Sequence, residues 1–253
     1  MAKEIELSTL RHSTAHVMAE AVLEMFPDAQ IAIGPAIENG FYYDFDLPRP
    51  LTDADFETIT KNMRKIINSG KEFVRKEVTR EEAREIFKDQ KYKLELLDAI
   101  PEGETVTTYI QGGFTDLCRG THVESTKDLC ADGFKLLSIA GAYWRGNEKN
   151  KMLTRIYATA WASKEDFRAY MDHLADIEKR DHRKLGKELD LFSLHEEAGP
   201  GLVYWHPRGA RIRQTIEQFW REEHYKNGYE MVYTPHVGKS WLWETSGHLG
   251  FYK

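Results

Sequence analysis

The sequence predicts an α+β protein: helices packed on a mostly antiparallel sheet, then a long charged helix, then a second and shorter α+β unit. Three observations lead there. Apolar residues recur at helical spacing in the opening block and again near 163–189 and 207–226. Short runs bounded by Gly, Pro, Asn and Asp read as strands between them. At 253 residues, 41% hydrophobic and 30% charged, the chain can hold one large or two modest domains, each with its own core.

The elements follow in order. Ser8 or Thr9 caps a helix running to about Phe26, with Pro27 just past its end. Residues 30–34 and 41–47 read as strands joined by the turn Glu38-Asn39-Gly40. Thr52 and Asp55 make a capping box, and the helix they start ends at Gly70. Residues 71–78 alternate as a strand, and Thr79 with Glu82 caps the next helix. Pro101-Glu102-Gly103 turns the chain into a strand over 105–110, broken again at Gly112-Gly113. Strands over 134–139 and 153–160 complete a first domain at 1–162.

Ser163 then opens a linker helix over 163–189. Phe167, Tyr170, Met171, Leu174 and Ile177 keep helical spacing, so one face packs on something. Its end is basic (Lys179, Arg180, Arg183, Lys184, Lys187), which suits either a solvated helix end or a phosphate-tracking surface. A third region, 190–253, holds a strand at 202–206, an amphipathic helix over 207–226 stopped at Asn227-Gly228, and a strand over 229–234 ending at Pro235. The chain stops at Phe251-Tyr252-Lys253 inside what reads as continuing structure, so a longer protein with the second domain cut is expected.

Composition excludes several classes. A formal net charge of −6 argues against a nucleic-acid binder that works by bulk electrostatics, so a polyanion must dock on a local basic patch. Arg145, Lys149, Lys151 and Arg155 are candidates. Two cysteines, Cys118 and Cys130, do not make a stapled secreted framework. The first seven residues lack the apolar run of a signal peptide, and no stretch approaches a membrane span. A reduced, cytoplasmic protein is expected. No Walker-type loop, dinucleotide glycine loop or serine elbow occurs.

Two motifs carry chemistry. His12-Ser13-Thr14-Ala15-His16 puts two imidazoles on one helix face. Cys118-Arg119-Gly120-Thr121-His122 follows a strand end and contains a glycine turn. Either pair alone is commonly inert. Together they assemble three imidazoles and a thiol, the ligand set of a zinc site or of a small hydrolytic pocket. Asp116 directly precedes the second motif, and of the neighbours Tyr42 and Tyr43 only one can face a shared pocket.

Six blocks carry a family resemblance: 10–16 (LRHSTAH), 32–44 (AIGPAIENGFYYD), 116–122 (DLCRGTH), 140–146 (AGAYWRG), 155–161 (RIYATAW) and 180–186 (RDHRKLG). They are similar, in order, to the editing domain of bacterial-type threonyl-tRNA synthetases. The region after Leu189 resembles the start of the family's class II catalytic core, whose first motif serves dimerisation. The small ubiquitin-like domain, the second and third class II motifs, the zinc ligands of the catalytic core and the anticodon-binding domain are not found. Aminoacylation is therefore not expected of this stretch, although the family as a whole is an ATP- and Zn2+-using ligase that works as a homodimer.

The resemblance implies hydrolysis of seryl-tRNA(Thr). Serine lacks one methyl of threonine, and a pocket discriminates against a smaller analogue by only about 1–3 kcal/mol. A second pocket that excludes threonine sterically and hydrolyses the serine ester corrects this. By the resemblance, His12, His16, Cys118 and His122 surround the ester, while Tyr43, Lys93 and Asp116 hold substrate and organise water. Without it, Lys93 reads as a plain surface lysine. Tyr43 or Tyr143 would stack on the terminal adenosine, and Arg145 would join it in holding the tRNA. Zn2+ on His12, His16, Cys118 and His122 is one mechanism. Four protein ligands would leave a tetrahedral ion no open position, which favours water positioned by side chains alone. A free-standing zinc-dependent ester or amide hydrolase and a non-catalytic tRNA-binding module remain as alternatives.

Overall fold

The computed structural model describes residues 5–251. Residues 1–4 and 252–253, on which parts of the leader and chain-end expectations fall, lie outside them. The chain divides into two units, Met1–Ala175 and Asp176–Lys253.

In the first unit, helix α1 (Leu7–Met25) is buried almost continuously from Leu10 to Val22. It starts at Glu6, earlier than the expected caps Ser8 and Thr9. The Thr9 hydroxyl is engaged instead by Thr121 Oγ1 at 3.1 Å. Strands β1 (Gln30–Ile31), β2 (Ala36–Ile37) and β3 (Gly40–Asp46) follow. Helix α2 (Asp53–Ser69) packs along α1; Thr52 N donates to Asp55 Oδ2 at 2.7 Å, and Gly70 closes the helix in the left-handed conformation. Next come β4 (Phe73–Val78), the Thr79-capped α3 (Arg80–Ile86), α4 (Lys91–Asp98), β5 (Val106–Gln111) and β6 (Phe114–Leu117). The hairpin β7 (Phe134–Tyr143) and β8 (Met152–Ala160) completes the sheets, and α5 (Lys164–Lys179) follows.

The expected sheet is in fact two, both wholly antiparallel. One runs β1-β3-β8-β7 with β2 also on β3; the other runs β4-β5-β6. Alternation along β3 decides the layers. Phe41, Tyr43 and Phe45 point into the core, while Tyr42 and Asp44 meet Tyr157 and Arg155 across β8 on the other face. The main core lies between α1, α2 and this sheet. Helix α4 was not legible as an element. Its eight residues are too few for periodicity to show, yet Tyr92, Lys93 and Leu97 are buried.

The linker helix expected over 163–189 is two helices, α5 and α6 (His182–Glu188). Asp181 breaks it: its carboxylate accepts from Arg183 N at 2.8 Å and caps α6. None of the residues of α5 is buried, so its apolar positions do not form a fully covered face. The second unit continues with the hairpin β9 (Phe192–Leu194) and β10 (Val203–Trp205), then α7 (Pro207–Lys226), α8 (Trp241–Thr245) and α9 (His248–Phe251). The strand expected over 229–234 does not form. Val232 and Tyr233 are exposed, and no strand lies beside them to accept a ladder among the described residues. Only Gly186 and Gly209 are buried among the described residues of this unit, and Trp220, Trp241 and Trp243 are exposed. No helix among the described residues is long and apolar enough to cross a membrane.

Candidate active site

Four elements of the first unit converge. Helix α1 presents His12 and His16 one turn apart. The chain leaving β6 brings Cys118 and His122 against them, so that one ligand atom of each of the four residues lies within 4.8 Å of every other. Cys118 Sγ is 3.4 Å from His12 Nε2 and 3.5 Å from His122 Nε2. His122 lies flat on Phe73, with centroids 5.0 Å apart, and edge-on to Tyr109 at 4.3 Å. Gly120 allows this closeness: a Cβ there would sit 2.4 Å from His12 Cε1, and the glycine amide donates to Cys118 Sγ at 3.3 Å.

Beside this cluster is a second, charged one. Asp116 pairs with Lys93 through Oδ1, and Tyr43 Oη donates to Asp116 Oδ2 at 2.6 Å. Lys93 Nζ also donates to Tyr43 Oη at 3.1 Å. His16 Nε2 stands 3.4 Å from Asp116 Oδ2 and joins the two clusters. Tyr43, Lys93 and Asp116 are all buried, so Lys93 is not a surface lysine. Helix α4 carries it inward because Tyr92 Oη donates to Asp46 and Lys91 pairs with the same carboxylate. A buried ammonium and carboxylate in contact compensate each other's charge, and the tyrosine hydroxyl donates to the second carboxylate oxygen.

A cavity of about 510 Å³ opens on both clusters. His12, His16, Lys93, Asp116 and Cys118 line one side of it; Ile33, Pro35 and Leu96 form apolar wall. Burial keeps the groups neutral where they are unpaired. It pushes the Cys118 thiol up to about 12, helped by the charge of Asp116, so the sulfur is a thiol and not a thiolate nucleophile unless something replaces its proton. Burial lowers His12, an effect opposed by Asp116 and by a backbone hydrogen bond to Thr121. Burial and the neighbouring rings hold His16 and His122 below the ordinary imidazole range. Burial and Asp116 raise Tyr43 well above an ordinary phenol, so it stays a donor.

The donor set fits a zinc ion. Neighbouring S and N ligands of tetrahedral zinc lie about 3.5 Å apart, given Zn–S of about 2.3 Å and Zn–N of about 2.0–2.1 Å. The two Cys118–histidine distances match that spacing. The rings are neutral, as ligation requires, and His16 Nδ1 is buried with no hydrogen-bond partner.

Not every expected residue gathers here. Tyr143, at the exposed end of β7, and Arg145 do not line the cavity. Arg145 holds a left-handed backbone, φ 55°, and donates to Glu95 O at 3.0 Å, one residue from the cavity wall at Leu96. Arg155 forks onto Asp44 at 2.7 and 2.8 Å, and Lys151 pairs with Asp46 at 2.7 Å, so both cations are neutralised within the fold. Three participants lay hidden inside the motifs: Ser13, Gly120 and Thr121. The signal was present as a hydroxyl beside the histidine pair and a glycine between cysteine and histidine, but their partners are distant in sequence.

Residues 106–157 match the family model described as "Threonyl and Alanyl tRNA synthetase second additional domain". The chain is similar to proteins named "Threonine--tRNA ligase" from Borrelia turicatae (56% identical), Borrelia recurrentis (57%) and Borreliella burgdorferi (56%). Each match covers 251 residues, 99% of this chain and 43% of the relative. The chain thus spans under half the length of the curated relatives it matches, and over nearly all of its own length it belongs to the threonine--tRNA ligase family.

Proposed function

We propose that the cavity of the first unit hydrolyses the ester joining serine to the terminal adenosine of tRNA(Thr). The observation that carries this reading is the convergence of a neutral His-His-His-Cys cluster and a Lys93–Asp116–Tyr43 cluster on one cavity. Lys93 donates to Tyr43 Oη and forms an ion pair with Asp116, so its ammonium keeps N–H donor capacity for the carbonyl oxygen as that atom gains negative charge. With no ion on the cluster, His12, neutral and on the cavity wall, takes a proton from the attacking water, directly or through the neighbouring ribose hydroxyl, and the proton passes to the ribose oxygen as the ester bond breaks. Asp116 compensates the ammonium and orients His16. Threonine is rejected because its extra methyl meets the wall.

His12, His16, Cys118 and His122 would hold a zinc ion, which supplies Lewis-acid chemistry when a coordination position is open. Tyr143 and Arg145 take the tRNA end outside the cavity, with Tyr143 stacking on a base and Arg145 contacting phosphate.

The larger reading is a threonine--tRNA ligase, ATP- and Zn2+-dependent in its catalytic core, acting on tRNA(Thr) as a cytoplasmic homodimer. Residues 1–162 form the editing domain, 163–189 the linker and 190–253 the beginning of a class II core. The identity of 56% along 99% of the chain supports this. The test is single-turnover hydrolysis of seryl-tRNA(Thr) by this chain. Release of serine that Lys93→Met slows at least about 100-fold supports the proposal; hydrolysis indifferent to Lys93 contradicts it.

A further inference from the structure

The buried hydroxyl of Ser13 has three partners and room for only those three. Thr9 O, 2.8 Å away, can only accept, so it receives the single hydroxyl proton. Val123 N, at 3.0 Å, can only donate, and it takes one lone pair of Ser13 Oγ. One lone pair remains, and His122 Nδ1 faces it at 3.1 Å. Ser13 is fully buried, so no solvent competes for it. The count requires a proton on His122 Nδ1, and in the neutral ring it leaves the lone pair at Nε2, the atom 3.5 Å from Cys118 Sγ. Isolated neutral imidazole carries no such constraint, and stacking on Phe73 fixes the ring plane but not the tautomer.

We propose that Ser13 is a positioning residue: its hydroxyl fixes the ring tautomer of His122, and so aims the His122 Nε2 lone pair at Cys118 and the centre of the four-residue cluster. Its catalytic consequence rests on the hydrolytic reading of the cavity, but the tautomer does not. Hydrogen bonds of this kind, one bond removed from the reacting or ligating atoms, typically change activity or metal affinity about 10- to 100-fold when removed.

Thr14 is the matched control. It is the next residue on α1, equally buried, and its hydroxyl donates to Leu10 O at 2.8 Å in the same manner, with no hydrogen bond to a histidine ring among the described residues. The experiment is ¹⁵N NMR of histidine-labelled chain, with His122 assigned by its loss in His122→Gln. In the unsubstituted chain, Nδ1 should resonate as a protonated nitrogen and Nε2 as an unprotonated one. Ser13→Ala should move both toward the opposite tautomer and slow seryl-tRNA hydrolysis about 10- to 100-fold. Thr14→Ala should leave the ring signals where they are. A proton on Nε2 in the unsubstituted chain, or unmoved signals in Ser13→Ala, overturns the proposal. If Ser13→Ala does not fold, the unsubstituted spectrum decides alone. A chain with the expected tautomer and no hydrolysis refutes the proposed function and leaves the role of Ser13 standing.

Discussion

Each unit holds a serine hydroxyl against a histidine ring, and the two arrangements are alike in distance. In the first, Ser13 Oγ lies 3.1 Å from His122 Nδ1. In the second, Ser193 Oγ lies 2.8 Å from His206 Nε2, and His206 Nδ1 lies 2.7 Å from Asp190 Oδ1. By connectivity the second is the more suggestive, since serine, histidine and aspartate stand in line as in a hydrolase triad. Burial separates them. The Asp190 carboxylate is 74% exposed and that of Asp116 only 3%. Water competes for the bonds of the exposed Asp190 carboxylate. In the first unit Ser13, His16, Lys93 and Asp116 are buried, pKa values move, and the last three face a cavity. Serine, histidine and aspartate at similar short distances thus make a hairpin fastening in one place and part of a candidate active site in the other.

The largest expected effect tests the buried side. Lys93→Met leaves Asp116 buried without its cation and should cost about 3–5 kcal/mol in urea-induced unfolding. A loss under about 1 kcal/mol, the range of exposed pairs, would erase the contrast. Next is Gly120→Ala, whose new Cβ would fall 2.4 Å from His12 Cε1. It should cost about 1–3 kcal/mol and slow hydrolysis, whereas Gly113→Ala, with open space around it, should do neither. Unchanged hydrolysis in Gly120→Ala would show that the ring position is not critical.

The capping box gives a smaller effect with a defined pH dependence. Arg49 at 2.6 and 2.8 Å, then the Thr52 hydrogen bonds, hold the Asp55 carboxyl well below its usual range. A depressed folded pKa contributes stability above the unfolded pKa of about 3.9 and loses it as pH falls toward the folded value. Asp55→Asn should therefore cost about 1 kcal/mol at neutral pH, and the gap should close on acidification below about pH 3.9. A gap that does not narrow between about pH 3.9 and pH 2 would mean that the charge is not its source. The smallest effect belongs to the exposed chain. Ser193→Ala should change stability by no more than about 0.5 kcal/mol and leave seryl-tRNA hydrolysis unaltered. A loss of hydrolysis would reverse the comparison.

Local signals and distant ones were unequally legible. Capping at Thr52, Thr79 and Ser163, the glycine stop at Gly70 and the span of α7 follow from residues adjacent in sequence, and all five were readable there. Asp181 was equally local, but a charged helical pattern masked its capping role. The run 229–234 has strand-forming residues and no partner strand, and propensity cannot supply one. In the site, the paired motifs were visible as motifs. Lys93 was invisible as a buried group because its burial depends on Asp46, Asp116 and Tyr43, each from another element. Ser13 lay in plain view between the two histidines, but its role appears only when Val123 and His122, more than a hundred residues on, come beside it.

The most direct test of the central claim uses tRNA(Thr) charged with labelled serine or with labelled threonine, each incubated with this chain and with His16→Ala. Rapid release of serine, retention of threonine, and loss of serine release in His16→Ala with the fold intact are expected. Equal hydrolysis of both esters, or full activity in His16→Ala, would contradict it.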